Sequence, residues 1–358
     1  MFEARAAVQK LQSYHPPLAG RQGLRLDFNE NTVGCSPRVL ARMRALDAEA
    51  LARYPDREPV EREVARFMGL DATQLLLTNG VDEAIHLLCS TYLDAGDEAI
   101  IVVPTFAMYS LFAQAAGAQV VEIRSGPDFV FPTAELLVKI SPRTRLIAVA
   151  NPNNPTGAAV SEEILLQIAE GAPHAAFLVD EAYFEFHCET LLARRMRPSN
   201  IFVARTFSKA YGLAGLRIGA IVGDAQQMAM VRRVASPYNV NAVALAVLPE
   251  ALRDTAYVSH YADQVRRNRN VLEQELSTSG LHYWPSRGNF VLVRIGLAHK
   301  EFVRSLRERG ILVRDRDSDP GCEGAVRLTV GSDEHTQTLI AALRSVVEVL
   351  GLRREVRA

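Results

Sequence analysis

Ile201-Phe202-Val203-Ala204-Arg205-Thr206-Phe207-Ser208-Lys209-Ala210-Tyr211-Gly212-Leu213-Ala214-Gly215-Leu216-Arg217 is the stretch from which the rest of the chain can be read. Its first four residues are a short apolar run, which reads as a buried strand. Two hydroxyls, Thr206 and Ser208, then flank the approach to a lysine, and an arginine follows eight residues after it. Lys209 offers a nucleophilic amine, while Thr206, Ser208 and Arg217 can converge on a dianion such as a phosphate. A strand that ends in chemically loaded residues points to an α/β fold with a mainly parallel sheet, because such sheets carry their sites at the carboxyl ends of the strands.

The pattern recurs upstream. The apolar run 146–150 leads into Asn151-Pro152-Asn153-Asn154-Pro155-Thr156-Gly157, and the run 176–179 leads into Asp180-Glu181-Ala182-Tyr183. Residues 75–78 read as a strand, Asn79-Gly80 as a turn, and 81–92 as a helix with Asp82 and Glu83 in its first turn, where acidic side chains suit the dipole. A short strand at 100–103 stops at Pro104, and a helix over 111–116 closes at Gly117. From about residue 256 the pattern changes: a long polar helix (257–279), a strand at 290–293, a helix near 300–309, strands at 311–313 and 326–329, and a terminal helix over 333–350. The expected organisation is a large mainly parallel-sheet domain, 26–256, with a smaller α/β domain built from 1–25 plus 257–358.

The lysine stretch suits pyridoxal phosphate, held as an imine between the amine and the cofactor's aldehyde. Such a cofactor needs a carboxylate that keeps its ring nitrogen protonated. Asp180 is the candidate, although an aspartate after a strand also serves as a helix N-cap. Tyr183 and Asn154 can hydrogen-bond the ring hydroxyl oxygen; Asn154 equally suits a turn in so proline-rich a loop. Gly80-Val81-Asp82 lies where a strand passes into a helix, so the free N–H groups there can face a phosphate or simply close a tight turn. Phe106 can cover the ring or pack in the core. Arg327 interrupts an apolar strand and offers a planar fork to a substrate carboxylate, unless it is an edge-strand surface residue; Arg314 is a second such candidate.

Composition excludes several classes. A formal net charge of -1 gives no electrostatic case for a nucleic-acid or anionic-membrane partner. Cys35, Cys89, Cys188 and Cys322 are scattered with no C-x-x-C pair, so neither a disulfide framework nor a metal site is indicated. With no apolar signal core and no run long enough to span a bilayer, a soluble cytoplasmic protein is expected.

These residues resemble those of the fold-type I pyridoxal-phosphate aminotransferases, and within them the histidinol-phosphate branch. The likeness runs through Leu26-Asp27-Phe28-Asn29-Glu30-Asn31, Arg53-Tyr54-Pro55, Gly80-Val81-Asp82-Glu83-Ala84-Ile85, Pro104-Thr105-Phe106-Ala107-Met108-Tyr109, the asparagine–proline loop, Asp180-Glu181-Ala182-Tyr183, the lysine segment, Gly288-Asn289-Phe290 and Arg327-Leu328-Thr329-Val330-Gly331. The resemblance implies that Lys209 carries the cofactor and shuttles protons, Asp180 partners the ring nitrogen, Asn154 and Tyr183 meet the ring oxygen, and Arg327 clamps a carboxylate. It further implies a homodimer with shared sites, Tyr54 reaching the partner's cofactor phosphate, and Tyr14 and Tyr238 meeting the substrate's own phosphate. The implied activity is amino transfer between a small-molecule amino donor, histidinol phosphate, and the 2-oxo acid 2-oxoglutarate. Thr32, where the family usually has proline, and Ser13-Tyr14-His15-Pro16-Pro17 depart from the pattern near the expected substrate entrance. An aromatic amino acid aminotransferase is the nearest rival, and a decarboxylase or lyase on the same scaffold is a second. A transcription regulator would need an added DNA-binding domain, for which the span of matched motifs leaves no room.

Overall fold

The computed structural model describes residues 2–13, 15, 20–194 and 198–352. After β1 (Leu24–Leu26) the chain lays down β2 (Leu75–Thr78), β3 (Glu98–Val103), β4 (Gln119–Arg124) and β5 (Thr144–Ala150). Next come β6 (Ala176–Asp180), β7 (Ile201–Thr206) and β8 (Gly219–Gly223). These last seven form one sheet in the order β2-β8-β7-β6-β5-β3-β4. Neighbours from β7 to β4 run parallel, whereas β8 is antiparallel to both β2 and β7. A parallel sheet must be covered on both faces, and this one is: every residue of β6 and β7 is buried.

The helices that cover it start on ordinary N-caps. Ser161 accepts from the Ile164 N–H, Asp224 from Gln226, and Asn241 from Ala244, each satisfying a donor that the first turn leaves free. A second sheet is built from β1 with β9 (His282–Trp284), β10 (Phe290–Arg294), β11 (Ile311–Asp315) and β12 (Ala325–Thr329), in the order β1-β11-β12-β10-β9. Only β1 and β11 pair in parallel. The helix Thr255–Thr278 leads from the first sheet to the second, and Asp333–Val349, capped by Ser332, packs against it.

Two features place the site. The ends of β5, β6 and β7 stand side by side, with Ala150 opposite Asp180 and Asp180 opposite Ala204. The segment after β1, residues 27–31, then runs from the second sheet across those ends: Lys209 Nζ donates to the Phe28 carbonyl at 3.0 Å, and Asn31 Nδ2 to the Ala210 carbonyl at 3.0 Å.

Candidate active site

A cavity of about 610 Å³ opens where those strand ends meet residues 21–30. Asp180, the last residue of β6, reaches it from below. Its Oδ2 accepts the Tyr109 hydroxyl at 2.6 Å and its Oδ1 accepts the Ala182 N–H at 3.0 Å. Burial pushes its carboxyl up to about 6, against the pull of those two bonds. Among the described residues no cation pairs with it, so a buried carboxylate faces the cavity uncompensated. Burial also pushes the Tyr109 hydroxyl well above its ordinary range, and Asp180 adds to it, which keeps Tyr109 a donor.

Lys209 sits on the loop between β7 and β8. Burial, then Arg327 and Arg217, pull its ammonium down to about 8, while Glu30 acts the other way. Tyr183 lies beside it, the ring centroid 5.8 Å from Nζ, and its hydroxyl accepts from Asn29 Nδ2 at 3.0 Å. Asn154, from the loop after β5, also lines the cavity, and Arg327 Nη1 donates to its Oδ1. Arg327 Nη2 donates to the Asp27 carbonyl at 2.6 Å, leaving a buried Nε without a partner. Burial, aided by Arg316, pulls Arg327 down to about 10, so it remains cationic at neutral pH.

The end of the cavity suited to an anion is built by backbone geometry. Gly80 opens the helix Gly80–Tyr92 at φ 76, and the Arg217 guanidinium lies against it; a Cβ there would stand 2.8 Å from Nη2. Glycine alone takes that dihedral without strain and leaves the room. Arg217, itself left-handed at φ 52, also donates to Asp82 Oδ2 at 2.8 Å. Thr206 and Ser208 stand opposite, the Thr206 hydroxyl accepting the Ser208 N–H at 3.1 Å. Gly219, in β8, lets the strand approach that helix: a Cβ would come within 3.0 Å of the Gly80 carbonyl carbon.

Lys209, Asp180, Asn154, Tyr183, Phe106, Val81, Asp82, Thr206, Ser208 and Arg217 thus meet in one cavity, and Gly80 and Arg327 lie directly behind its wall. Arg314 is one layer further back, its guanidinium 5.2 Å from the Phe28 ring centroid. Tyr54 and Tyr238 are elsewhere: their rings stack at 4.4 Å on the surface, over a separate pocket. Tyr14 lies outside the described residues. Thr32 does not line the cavity; its hydroxyl accepts the Ser332 N–H at the start of the terminal helix.

Sequence reasoning missed Tyr109, Asn29, Arg21, Phe28 and Glu30 as site residues. Arg21 is held by a two-pronged pair with Asp27, at 3.0 and 2.7 Å, and by Glu30 at 2.8 Å, with its guanidinium 4.4 Å above the Phe28 ring. The N-E-N run signalled Asn29 and Glu30; Tyr109 closes the segment Pro104-Thr105-Phe106-Ala107-Met108-Tyr109, which carries the family likeness but gives Tyr109 no role.

The donor set fits pyridoxal phosphate. It has a buried carboxylate with no cation partner among the described residues, an amine depressed toward neutrality, two groups, Asn154 and Tyr183, able to meet a ring oxygen, and an arginine beside a helix N-terminus that would suit a phosphate. The description "Aminotransferase class I and II" fits residues 21–343. The chain belongs to the class I and II aminotransferases. It is therefore a pyridoxal-phosphate-dependent aminotransferase. It is 36% identical to the histidinol-phosphate aminotransferase of Caldanaerobacter subterraneus subsp. tengcongensis, over 82% of this chain and 84% of that protein. Identity to histidinol-phosphate aminotransferase 1 of Trichormus variabilis is 33%, over 96% and 98%. The solved histidinol-phosphate aminotransferase of Sinorhizobium meliloti, in complex with pyridoxal-5'-phosphate, superposes with a TM-score of 0.87 over 98% of this aminotransferase and 99% of that chain, at 24% identity, a likeness of fold. Among the described residues no helix is long and apolar enough to cross a membrane, and no group of His, Cys, Asp and Glu could hold a metal ion.

Proposed function

We propose that this aminotransferase moves an amino group between histidinol phosphate and 2-oxoglutarate, in a cytoplasmic homodimer whose two sites each draw on both chains. The observation that carries an anionic substrate is Arg327: a residue 4% exposed, with Arg316 and Arg314 close enough to lower its proton affinity and one N–H donor unpartnered. A buried guanidinium with no carboxylate partner of its own among the described residues calls for an anionic substrate group. Histidinol phosphate brings a phosphate in one half-reaction and 2-oxoglutarate a carboxylate in the other. The curated relatives, named as histidinol-phosphate aminotransferases, support the same choice.

In this mechanism bound pyridoxal phosphate supplies an aldehyde for the amino group and a ring that withdraws electrons. Asp180, held by Tyr109, keeps the ring nitrogen protonated; Asn154 and Tyr183 stabilise negative charge on the ring oxygen. Arg217, Thr206, Ser208 and the first turn of Gly80–Tyr92 hold the phosphate, and Phe106 covers the ring. Lys209, a fraction of which is unprotonated near neutral pH, receives and returns the proton at the substrate carbon that bears nitrogen. Arg327, with Arg314 behind Phe28, orients the anionic end. Tyr54, 80% exposed over a separate pocket, serves the cofactor phosphate of the second copy, and Tyr238 and Tyr14 meet the substrate's own phosphate. We take the division to be a large domain over 26–256 and a smaller one over 1–25 plus 257–358, each centred on one of the two sheets.

The test is kcat/KM for histidinol phosphate, phenylalanine, tyrosine and histidine against 2-oxoglutarate. The proposal expects histidinol phosphate to lead by orders of magnitude, since a site that hydrogen-bonds a substrate group rejects analogues lacking it. Faster turnover of phenylalanine or tyrosine would make this an aromatic amino acid aminotransferase.

A further inference from the structure

We propose that Asn29 is a positioning residue that sets which way the Tyr183 hydroxyl donates, and so tunes the cofactor's ring oxygen from outside the cavity. This inference rests on the reading of Tyr183 given above. Asn29 is 1% exposed and sits at φ 54, a left-handed conformation that is uncommon for a residue with a side chain. Its surroundings hold it there. The Asn29 N–H donates to Thr329 Oγ1 at 3.1 Å, and its carbonyl accepts from Asn289 Nδ2 at 3.1 Å, both partners belonging to the second sheet or the residue leading into it. The carbonyl just before it, on Phe28, holds Lys209 Nζ.

The amide orientation follows from counting protons. Thr329 Oγ1 accepts the Asn29 N–H, and the amide orientation that also gives its own proton an acceptor places Asn29 Oδ1 there, 3.2 Å away. That turns Nδ2 toward Tyr183, 3.0 Å off, as a donor. A phenol has one proton and can accept on its lone pairs. With Asn29 donating to it, the Tyr183 hydroxyl keeps its proton free to point into the cavity, where the ring oxygen is expected. Asn29 thereby lowers the proton affinity of Tyr183, against the larger opposing effect of burial. The strained residue thus fixes two things at once: the resting contact of the lysine and the polarity of the tyrosine.

The test uses the pH midpoint of the bound cofactor's absorbance band, together with the cofactor's dissociation constant, in N29G, N29D, Y183F and N29G/Y183F. Glycine adopts φ 54 freely and keeps both backbone bonds, so N29G should fold as the parent does. A donor to the ring oxygen favours the unprotonated form. Losing the orientation of that donor should therefore raise the midpoint by roughly half to one pH unit, the equivalent of one ordinary hydrogen bond. N29D places an acceptor where the donor was, draws the Tyr183 proton away, and should raise the midpoint as far as Y183F does. The double variant should match Y183F alone. Shifts that add in the double variant, or an unmoved midpoint in N29G beside a raised one in Y183F, would overturn the role of Asn29 while leaving Tyr183 in place. An unmoved midpoint in Y183F would overturn the Tyr183 reading and the inference with it.

Discussion

Replacing Asp180 by Asn keeps the outline of a side chain that accepts Tyr109 at 2.6 Å and Ala182 at 3.0 Å, but removes its charge. In the free protein its carboxyl lies near 6, so at pH 7.5 it is ionised by more than about ten to one. A protonated ring nitrogen beside it would hold it more firmly ionised. A hydrogen bond to a charged group is worth about 1.5–3 kcal/mol, and that cost falls on any state in which the nitrogen must carry its proton. The substituted amide also cannot sustain the ring's electron withdrawal, which adds to the loss. Together these should lower kcat at least about a hundredfold, or roughly 2.7 kcal/mol. Arg217, Thr206 and Ser208, the proposed phosphate partners, are untouched, so cofactor content should stay close to that of the parent. The assay is stopped-flow single turnover with histidinol phosphate, alongside cofactor content and thermal unfolding. Turnover within about threefold of the parent, with cofactor bound, would mean that Asp180 is only a structural acceptor for Tyr109 and Ala182.

Borohydride reduction and peptide mapping should label Lys209 alone, and Lys209→Ala should lose both the label and turnover; label on another lysine would remove the assignment. Because the Lys209 ammonium lies near 8 and only the unprotonated amine attacks, covalent capture of pyridoxal phosphate by cofactor-free enzyme should quicken about tenfold per pH unit below 8 and level off above it. A pH-independent rate would contradict the depressed value. Tyr54→Phe mixed with Lys209→Ala should regain activity once subunits exchange, if the two residues serve one site from different chains. Removing the Tyr14 and Tyr238 hydroxyls together should lower kcat/KM for histidinol phosphate far more than for glutamate; equal losses would place those hydroxyls away from the substrate phosphate.

Much of the site was legible because its residues follow strand ends. Asp180, Tyr183, Asn154 and the lysine loop each trail an apolar run, and a parallel sheet aligns such tails. What could not be read was pairing at a distance. Tyr109 meets Asp180 across 71 positions and Asn29 meets Tyr183 across 154, and neither partner carries a local mark of the other. β8 was not read as a strand, and its direction could not have been: Gly219-Ala220-Ile221-Val222-Gly223 is buried throughout, and an apolar run reads the same in either orientation. The edge strand β4 escaped because its burial is partial and irregular, without clean alternation. Thr32 departed from the family pattern close to the expected entrance, yet its hydroxyl is spent on the start of the terminal helix.

The antiparallel course of β8 carries a consequence for how such a protein can change. Thr206 pairs directly with Gly219, and the Phe207 N–H closes on the Ile218 carbonyl at 3.1 Å, so the excursion between them is tied shut at its neck. Lys209 and Arg217 both hang near that neck, one on each limb. The loop beyond the neck is packed as well: Ala210, Tyr211 and Leu213 are buried, and a Cβ at Gly212 would stand 2.5 Å from the Gly34 carbonyl oxygen, so the spacing of the amine and the guanidinium is held from both ends. A slip of one residue between the two strands would instead move the limbs apart and turn neighbouring side chains to the opposite face. The room for change lies at Gly215, where an added Cβ meets nothing within 4 Å.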